Sequence, residues 1–150
     1  MLELLPNQLG YPLLSLLIFV PVIGAVILLA VRDARAARWI ALLFSVVEIG
    51  LSVPLLANFD GSIAHMQFGE SAAWIKEWNI QYRLGVDGIS ILFIALSALL
   101  TTISIMVSWT AVQDRVREFM VAMLLLEAAM IGVFAALDMF LFYIFWEAML

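Results

Sequence analysis

Long apolar runs constrain this chain more than any other feature of its sequence. Four runs are long enough to form spanning helices, at about residues 12–31, 36–57, 87–110 and 117–137, and a fifth occupies residues 139–150. A helix crosses the roughly 30 Å hydrocarbon core of a bilayer with about 20 apolar residues. Alternating hydrophobicity is absent from these runs, which argues against a transmembrane β-barrel. The runs predict an all-α integral membrane fold with four full transmembrane helices and a truncated fifth.

Composition supports the membrane class and excludes several functions. Hydrophobic residues make up 66% of the chain and charged residues 13%, against roughly 45–50% and about 25% in soluble domains. The net charge of -5 offers no basic surface for nucleic acid. Because the chain has no cysteine, it forms no disulfide, cysteine-ligated iron–sulfur cluster or thiolate zinc site. The single histidine, His65, has no companion at metal-ligand spacing, so no metal site is predicted.

The basic residues mark one face of the membrane. Five of the seven lie in or beside the two short connectors that follow the first and third runs: Arg32, Arg35, Arg38, Arg115 and Arg117. The positive-inside rule places such connectors in the cytoplasm. The N-terminus is then outside, and residues 58–86 form an extracytoplasmic loop within a single transmembrane helical region covering residues 1–150. Apolar and polar residues alternate at residues 80–84, which predicts a short strand in that loop.

Three glutamates lie within the apolar runs, each near the middle of its helix: Glu48, Glu127 and Glu147. An acid at that depth costs roughly 2.5–3.5 kcal/mol on insertion scales. Desolvation disfavours the charged form of a carboxylate and a nearby cation favours it, so a balanced acid can take up and release protons. We predict a role in proton translocation for Glu147, Glu127 and Glu48, in that order. The alternative is that each is a neutral, hydrogen-bonded acid that packs two helices together.

Two aspartates stand just before apolar runs. Asp87 precedes the third helix and Asp138 precedes the fifth. A carboxylate at this position can accept hydrogen bonds from the free amides of a helix start. We therefore interpret both as helix-capping or loop residues, and the residues alone predict no catalytic and no cofactor-binding side chain.

Three segments of the second half of the chain carry a family resemblance. Residues 84–90 read LGVDGIS, residues 126–134 read LEAAMIGVF, and residues 138–150 read DMFLFYIFWEAML. With shorter similarities at residues 66–68 and 74–75, they resemble the M-chain family of proton-pumping NADH:quinone oxidoreductase, respiratory complex I. The resemblance covers nearly the whole chain, and FWEAML at residues 145–150 distinguishes this family from the related antiporter-like chains.

The resemblance implies an antiporter-like membrane-arm subunit that takes part in proton translocation coupled to quinone reduction. Such a chain is a subunit of an oxidoreductase and translocase without redox chemistry of its own, and other subunits bind NADH, FMN, iron–sulfur clusters and quinone. The implied partners are the other membrane-arm subunits, especially neighbouring antiporter-like chains, and the lipid bilayer. The implied location is the bacterial inner membrane. Glu147 matches the family's helix-five glutamate, which pairs with a lysine on helix seven.

The sequence departs from the family pattern in its lysines. Lys76, in the loop, is the only lysine, and the run that holds Glu147 ends at residue 150. We therefore expect the chain to be the N-terminal part of a larger antiporter-like subunit. Two alternatives remain: a subunit of an Mrp-type sodium/proton antiporter or of a membrane-bound hydrogenase, and a non-catalytic helical membrane fragment whose buried acids only lock helices together.

Overall fold

All five expected helices are present in the computed structural model, which describes residues 4–7 and 9–150. Four are long and apolar enough to cross a membrane, namely α1 (Leu13–Ala30), α2 (Ala34–Ala57), α3 (Ser90–Ala111) and α4 (Val116–Ala135), and a shorter α5 spans Met139–Met149. Their ends lie within three residues of the sequence-based boundaries. The chain is therefore a multi-pass membrane protein.

A three-stranded sheet adds to the helical fold that the sequence predicted. The strands are β1 (Leu4–Pro6), β2 (Met66–Ile75) and β3 (Ile80–Val86), in the order β1-β2-β3. β1 pairs with β2 in parallel, and β2 pairs with β3 antiparallel. The strand predicted at residues 80–84 is β3. β2 was missed because its second half is exposed on successive residues, so it lacks alternation and depends on its pairing with β3.

The helices pack around α4, which contacts α1, α2, α3 and α5. A close approach between α1 and its neighbours occurs at Gly24. A Cβ atom added there would lie 2.6 Å from Cγ of Phe44 and 2.9 Å from Cδ1 of Leu124. Glycine at this position therefore lets α1 approach both α2 and α4 closely.

Two apolar clusters fill the two ends of the bundle. The sheet-side cluster joins the ends of the helices to the sheet, and its buried members are Leu13, Leu14, Leu17, Ile18, Leu55, Phe68, Leu84, Val86, Ile91, Ile94, Ile131, Ala135 and Leu141. The basic-side cluster occupies the opposite end, and its buried members are Ala25, Leu28, Ala37, Ala41, Ile105, Val116, Met120 and Leu124. The middle of the bundle lies between them.

Two hydrogen bonds show which segments of the chain lie at each end of the bundle. At one end the backbone N–H of Leu137 donates to the carbonyl oxygen of Arg83 at 2.9 Å, which ties the sheet to the corner between α4 and α5. At the other end Nη2 of Arg38 donates to the carbonyl oxygen of Val112 at 2.8 Å, which joins the two basic connectors. Both connectors therefore lie at one end of the bundle and the sheet lies at the other, in agreement with the prediction that the connectors and residues 58–86 are on opposite sides.

The first helix is capped by a side chain from the sheet. Pro12, before α1, provides no side-chain cap. Instead the carboxylate of Glu70 accepts hydrogen bonds from the backbone N–H groups of Leu14 at 2.7 Å and Ser15 at 3.0 Å, and from the Ser15 hydroxyl. The hydroxyl of Tyr82 lies 2.9 Å from that of Ser15. A negative charge at this end also interacts favourably with the helix dipole, so Glu70 fixes β2 to the start of α1.

Replacing Glu70 by alanine is expected to lower the free energy of unfolding by about 1–2 kcal/mol, the range observed for strong N-caps. The reason is that two backbone N–H groups of α1 lose their acceptor. The thermal unfolding midpoint of the full-length subunit measures the effect. Glu77→Ala, in the exposed turn between β2 and β3, is the matched control and should leave the midpoint unchanged. Equal midpoints for the two variants would contradict the capping role.

Candidate functional site

A layer of polar side chains separates the two apolar clusters. This polar layer consists of buried residues from three helices: Ser45, Glu48 and Ser52 of α2, Ser97, Thr101 and Thr102 of α3, and Glu127 of α4. On each of these helices the polar residues stand between a residue of the sheet-side cluster and one of the basic-side cluster. The bundle therefore has an apolar, polar, apolar order along its axis.

The hydroxyl groups of the layer are held by their own helices. The hydroxyls of Ser45 and Ser52 donate to the carbonyl oxygens of Leu42 and Ile49, at 3.0 and 2.7 Å. On α3, Ser97 and Thr102 donate to backbone carbonyl oxygens four residues earlier. Because the hydrogen is committed to the backbone, each of these oxygens presents its lone pairs to the layer.

Glu48 and Glu127 are the two acids of the polar layer. Both side chains are fully buried, with 0% exposure, and they lie within Coulombic range of each other. Among the described residues, none of their four carboxylate oxygens has a hydrogen-bond partner. At about 1.5 Å per residue, Glu127 lies about 16 Å from the start of α4. Two unpartnered carboxyl groups therefore lie in the same layer near the middle of the bundle.

No cation stands opposite these two acids in the described part of the bundle. α1 and α3 contain no charged residue. The basic residues of α2 and α4 lie at the basic end, where Arg38 and Arg117 are each ten positions, or about 15 Å, from the acid on the same helix. An ionised carboxylate without a partner is costly in such a place. The arrangement is therefore suited to acids that carry protons rather than to a structural ion pair.

Glu147 lies outside the polar layer. It stands on an exposed face of α5, where the hydroxyl of Tyr143, one turn earlier, donates to its Oε1 at 2.5 Å. α5 rests on α4 at Gly132, where an added Cβ atom would overlap the ring of Phe145. The structure thus brings Glu48 and Glu127 together and leaves Glu147 on a separate surface.

The two aspartates lie at helix starts. The carboxylate of Asp87 accepts from the backbone N–H groups of Ile89 and Ser90, at 3.0 and 2.7 Å. The hydrogen bond from Ser90 holds the pKa of the Asp87 carboxyl below its usual value, so the group is ionised at neutral pH. Asp138 accepts from the N–H groups at the start of α5 and from Gln81 of β3, so it joins that helix to the sheet.

Sequence reasoning missed two features of this region. One is the cap that Glu70 provides, which depends on a contact between residues 55 and 56 positions apart. The other is the proximity of Glu48 to Glu127 in the bundle. A signal for a polar face on α2 was available, because Ser45 and Ser52 stand three residues before and four residues after Glu48 and share its face of the helix.

Comparisons with known proteins give relatives for most of the chain. No family model matches it. It is 47% identical over 142 residues to NADH-quinone oxidoreductase subunit M of Rhodobacter capsulatus, covering 91% of this chain and 27% of that protein. It is 41% identical over 139 residues to NADH-ubiquinone oxidoreductase chain 4 of Arabidopsis thaliana, covering 91% and 28%. It is 40% identical over 136 residues to F(420)H(2) dehydrogenase subunit M of Methanosarcina mazei, with the same coverage.

The fold also occurs among solved structures. One example is the membrane-bound sulfane sulfur reductase, an archaeal respiratory membrane complex, in which a chain matches with a TM-score of 0.69 at 19% sequence identity. The match covers 91% of this chain and 21% of the other. The chain thus spans between a quarter and a third of the length of the relatives named above, and the likeness to the solved structure shows the fold alone.

Proposed function

Because the chain is homologous to subunit M, or chain 4, of NADH-quinone oxidoreductase, we propose that it forms part of a membrane-arm subunit that takes part in proton translocation coupled to quinone reduction. The observation that carries the proposal is the polar layer, in which Glu48 and Glu127 are buried without a cation. Buried acids near the middle of spanning helices are typical of proton pathways.

The proposed roles of the three acids differ with their positions. Glu147, exposed on α5, is the group that exchanges protons with the remainder of the subunit, and the Tyr143 hydroxyl orients its carboxylate. Glu127 and Glu48 hold protons inside the bundle. The coupling is electrostatic: redox work elsewhere in the complex changes the charge near Glu147 and thereby its affinity for a proton.

The proposed setting follows from the same homology. The partners are the other membrane-arm subunits, especially neighbouring antiporter-like chains. NADH, FMN, iron–sulfur clusters and quinone belong to other subunits. The relative from Methanosarcina mazei is named for F420H2 rather than NADH, which supports a common membrane subunit with different electron donors. The proposed location is the bacterial inner membrane, with the basic connectors in the cytoplasm.

Glu147→Gln in the full-length subunit of the assembled complex tests the proposal. The amide keeps the shape of the side chain but cannot carry an exchangeable acidic proton, so we expect proton translocation coupled to quinone reduction to be lost. Proton uptake by vesicles during quinone reduction is the measurement. Glu77→Gln makes the same charge change in an exposed turn and should leave pumping intact. A normal ratio of protons to electrons in Glu147→Gln would refute the role of Glu147.

A further inference from the structure

One side of α5 carries two polar side chains on a helix that is otherwise apolar. Glu147 is the charged residue of this helix, and Tyr143 stands four residues before it. That spacing places both side chains on the same side of the helix, one turn apart. Both are exposed, and on the same side the next residues, Met139 and Leu150, are 87% and 85% exposed. Tyr143 and Glu147 therefore form a small polar patch between exposed apolar residues.

The hydrogen bond within this patch has the geometry of a charge-assisted bond. The hydroxyl of Tyr143 donates to Oε1 of Glu147 at 2.5 Å, and bonds from a hydroxyl to an ionised carboxylate are typically about 2.5–2.7 Å long. Within the described part of the chain, no other hydrogen bond reaches the Glu147 carboxylate. Tyrosine loses little conformational entropy when it is ordered, because its side chain has only two torsion angles. The hydroxyl of Tyr143 is therefore a strong and well-ordered donor to Glu147.

The residues between Tyr143 and Glu147 hold this turn of α5 in place. The ring of Phe145 packs directly on Gly132 of α4. On the next face of the helix, the rings of Phe142 and Trp146 pack on each other, with centroids 5.9 Å apart. Because the turn is fixed by these contacts, loss of the Tyr143 hydroxyl alone leaves the packing of the helix as it is.

We propose that Tyr143 is a positioning residue that sets the affinity of Glu147 for a proton. The inference rests on the proposed function, in which Glu147 exchanges protons. While Glu147 is ionised, the hydroxyl of Tyr143 donates to Oε1 and stabilises the charge. When a proton binds to Oε2, the same hydroxyl still contacts Oε1, so the carboxyl group keeps its place in both states. Tyr143 thus determines the pH at which Glu147 takes up and releases a proton, and Glu147 itself carries the proton.

The pH profile of Tyr143→Phe in the full-length subunit of the assembled complex tests this role. Phenylalanine keeps the ring and removes the hydroxyl, so the ionised form of Glu147 loses its donor and the carboxyl stays protonated to a higher pH. We therefore expect the profile of proton uptake by vesicles during quinone reduction to move to higher pH by about one unit. A lower rate at every pH with an unchanged profile would make Tyr143 a structural residue and overturn the proposal.

Two control variants separate the hydrogen bond from the loss of a hydroxyl in general. Tyr11→Phe makes the same change at an exposed residue before α1 and should keep the parental profile. The double variant Phe142→Tyr, Tyr143→Phe keeps both rings and one hydroxyl but turns the hydroxyl about 100° around the helix, so it should show the shift of Tyr143→Phe. A parental profile in this double variant, or an equal shift in Tyr11→Phe, would contradict the proposal.

The outcome for Glu147→Gln distinguishes a failure of this inference from a failure of the proposed function. If Glu147→Gln abolishes proton uptake and Tyr143→Phe keeps the parental profile, only the role of Tyr143 is overturned. If Glu147→Gln pumps normally, the proposed role of Glu147 is overturned, and that of Tyr143 with it.

Discussion

The double variant Glu48→Met, Glu127→Met is expected to be more stable than the parent subunit and less active in proton translocation. Both carboxyl groups are fully buried and, among the described residues, none of their oxygens has a partner. Methionine has a similar length and fills space flexibly. A buried polar group without a hydrogen-bond partner costs about 1–3 kcal/mol, and an apolar side chain of similar volume does not carry that cost. The variant should therefore unfold at a higher temperature.

The activity of the same variant should move in the opposite direction. We expect proton translocation to be blocked when the two acids of the polar layer are replaced, since methionine carries no exchangeable proton. Proton uptake and the thermal unfolding midpoint are measured on the same preparation of the assembled complex. Glu118→Met, which removes an exposed acid at the start of α4, is the control for changing charge on that helix and should change neither reading much.

The two readings also distinguish function from packing. Acids that only lock the helices together would make the double variant less stable, and any loss of pumping would then follow from unfolding. Lower stability in Glu48→Met, Glu127→Met would contradict the description of the acids as unpartnered. Higher stability with unchanged pumping would remove Glu48 and Glu127 from the proton pathway while leaving the role of Glu147 to its own test.

Gly132→Ala is expected to weaken the packing of α5 on α4. An added Cβ atom would overlap the ring of Phe145, and Gly132 itself is buried. Forcing extra volume into a packed contact costs about 1–3 kcal/mol. Because α5 carries Glu147, the same shift should impair proton translocation as well as stability. The thermal unfolding midpoint and proton uptake of the assembled complex are the measurements.

A compensating variant makes this prediction specific. Phe145→Leu removes most of the ring that the new methyl group would meet, so the double variant Gly132→Ala, Phe145→Leu should be more stable than the sum of the two single changes indicates. Gly50→Ala is the matched control, because nothing lies within 4 Å of its added Cβ atom. In the middle of α2 it should stabilise by about 0.5–1 kcal/mol. Additive effects, without rescue, would show that the contact between Gly132 and Phe145 is not the cause.

The helices could be predicted from sequence because their signals are local. Each spanning segment is a continuous apolar run, and each connector on the basic face contains arginine. The depth of Glu48 and Glu127 follows from counting residues along a helix of known rise. β2 could not be predicted in this way, since its exposed half, which includes Ser71 and Trp74, is stabilised by a strand that comes later in the chain.

The candidate site was only partly predictable for the same reason. Sequence identifies which helices carry acids, but it does not determine which helix faces meet. Glu48 and Glu127 lie on helices that are not consecutive, and their proximity depends on the contact of α2 with α4. The separation of Glu147 from the polar layer likewise depends on how α5 packs against α4, where Phe145 contacts Gly132. Packing determines these relations, and spacing along one helix does not.

The cap on α1 joins the first helix to a residue that is synthesised later. Glu70 lies after both α1 and α2 in the chain, and synthesis proceeds from the N-terminus. The first helix is therefore synthesised before its capping carboxylate exists. Its first turn becomes complete only when β2 has crossed to the same side and Glu70 has reached Leu14 and Ser15. The hydrogen bonds of this cap thus depend on the later synthesis of β2 and on its placement on the same side of the membrane as the start of α1.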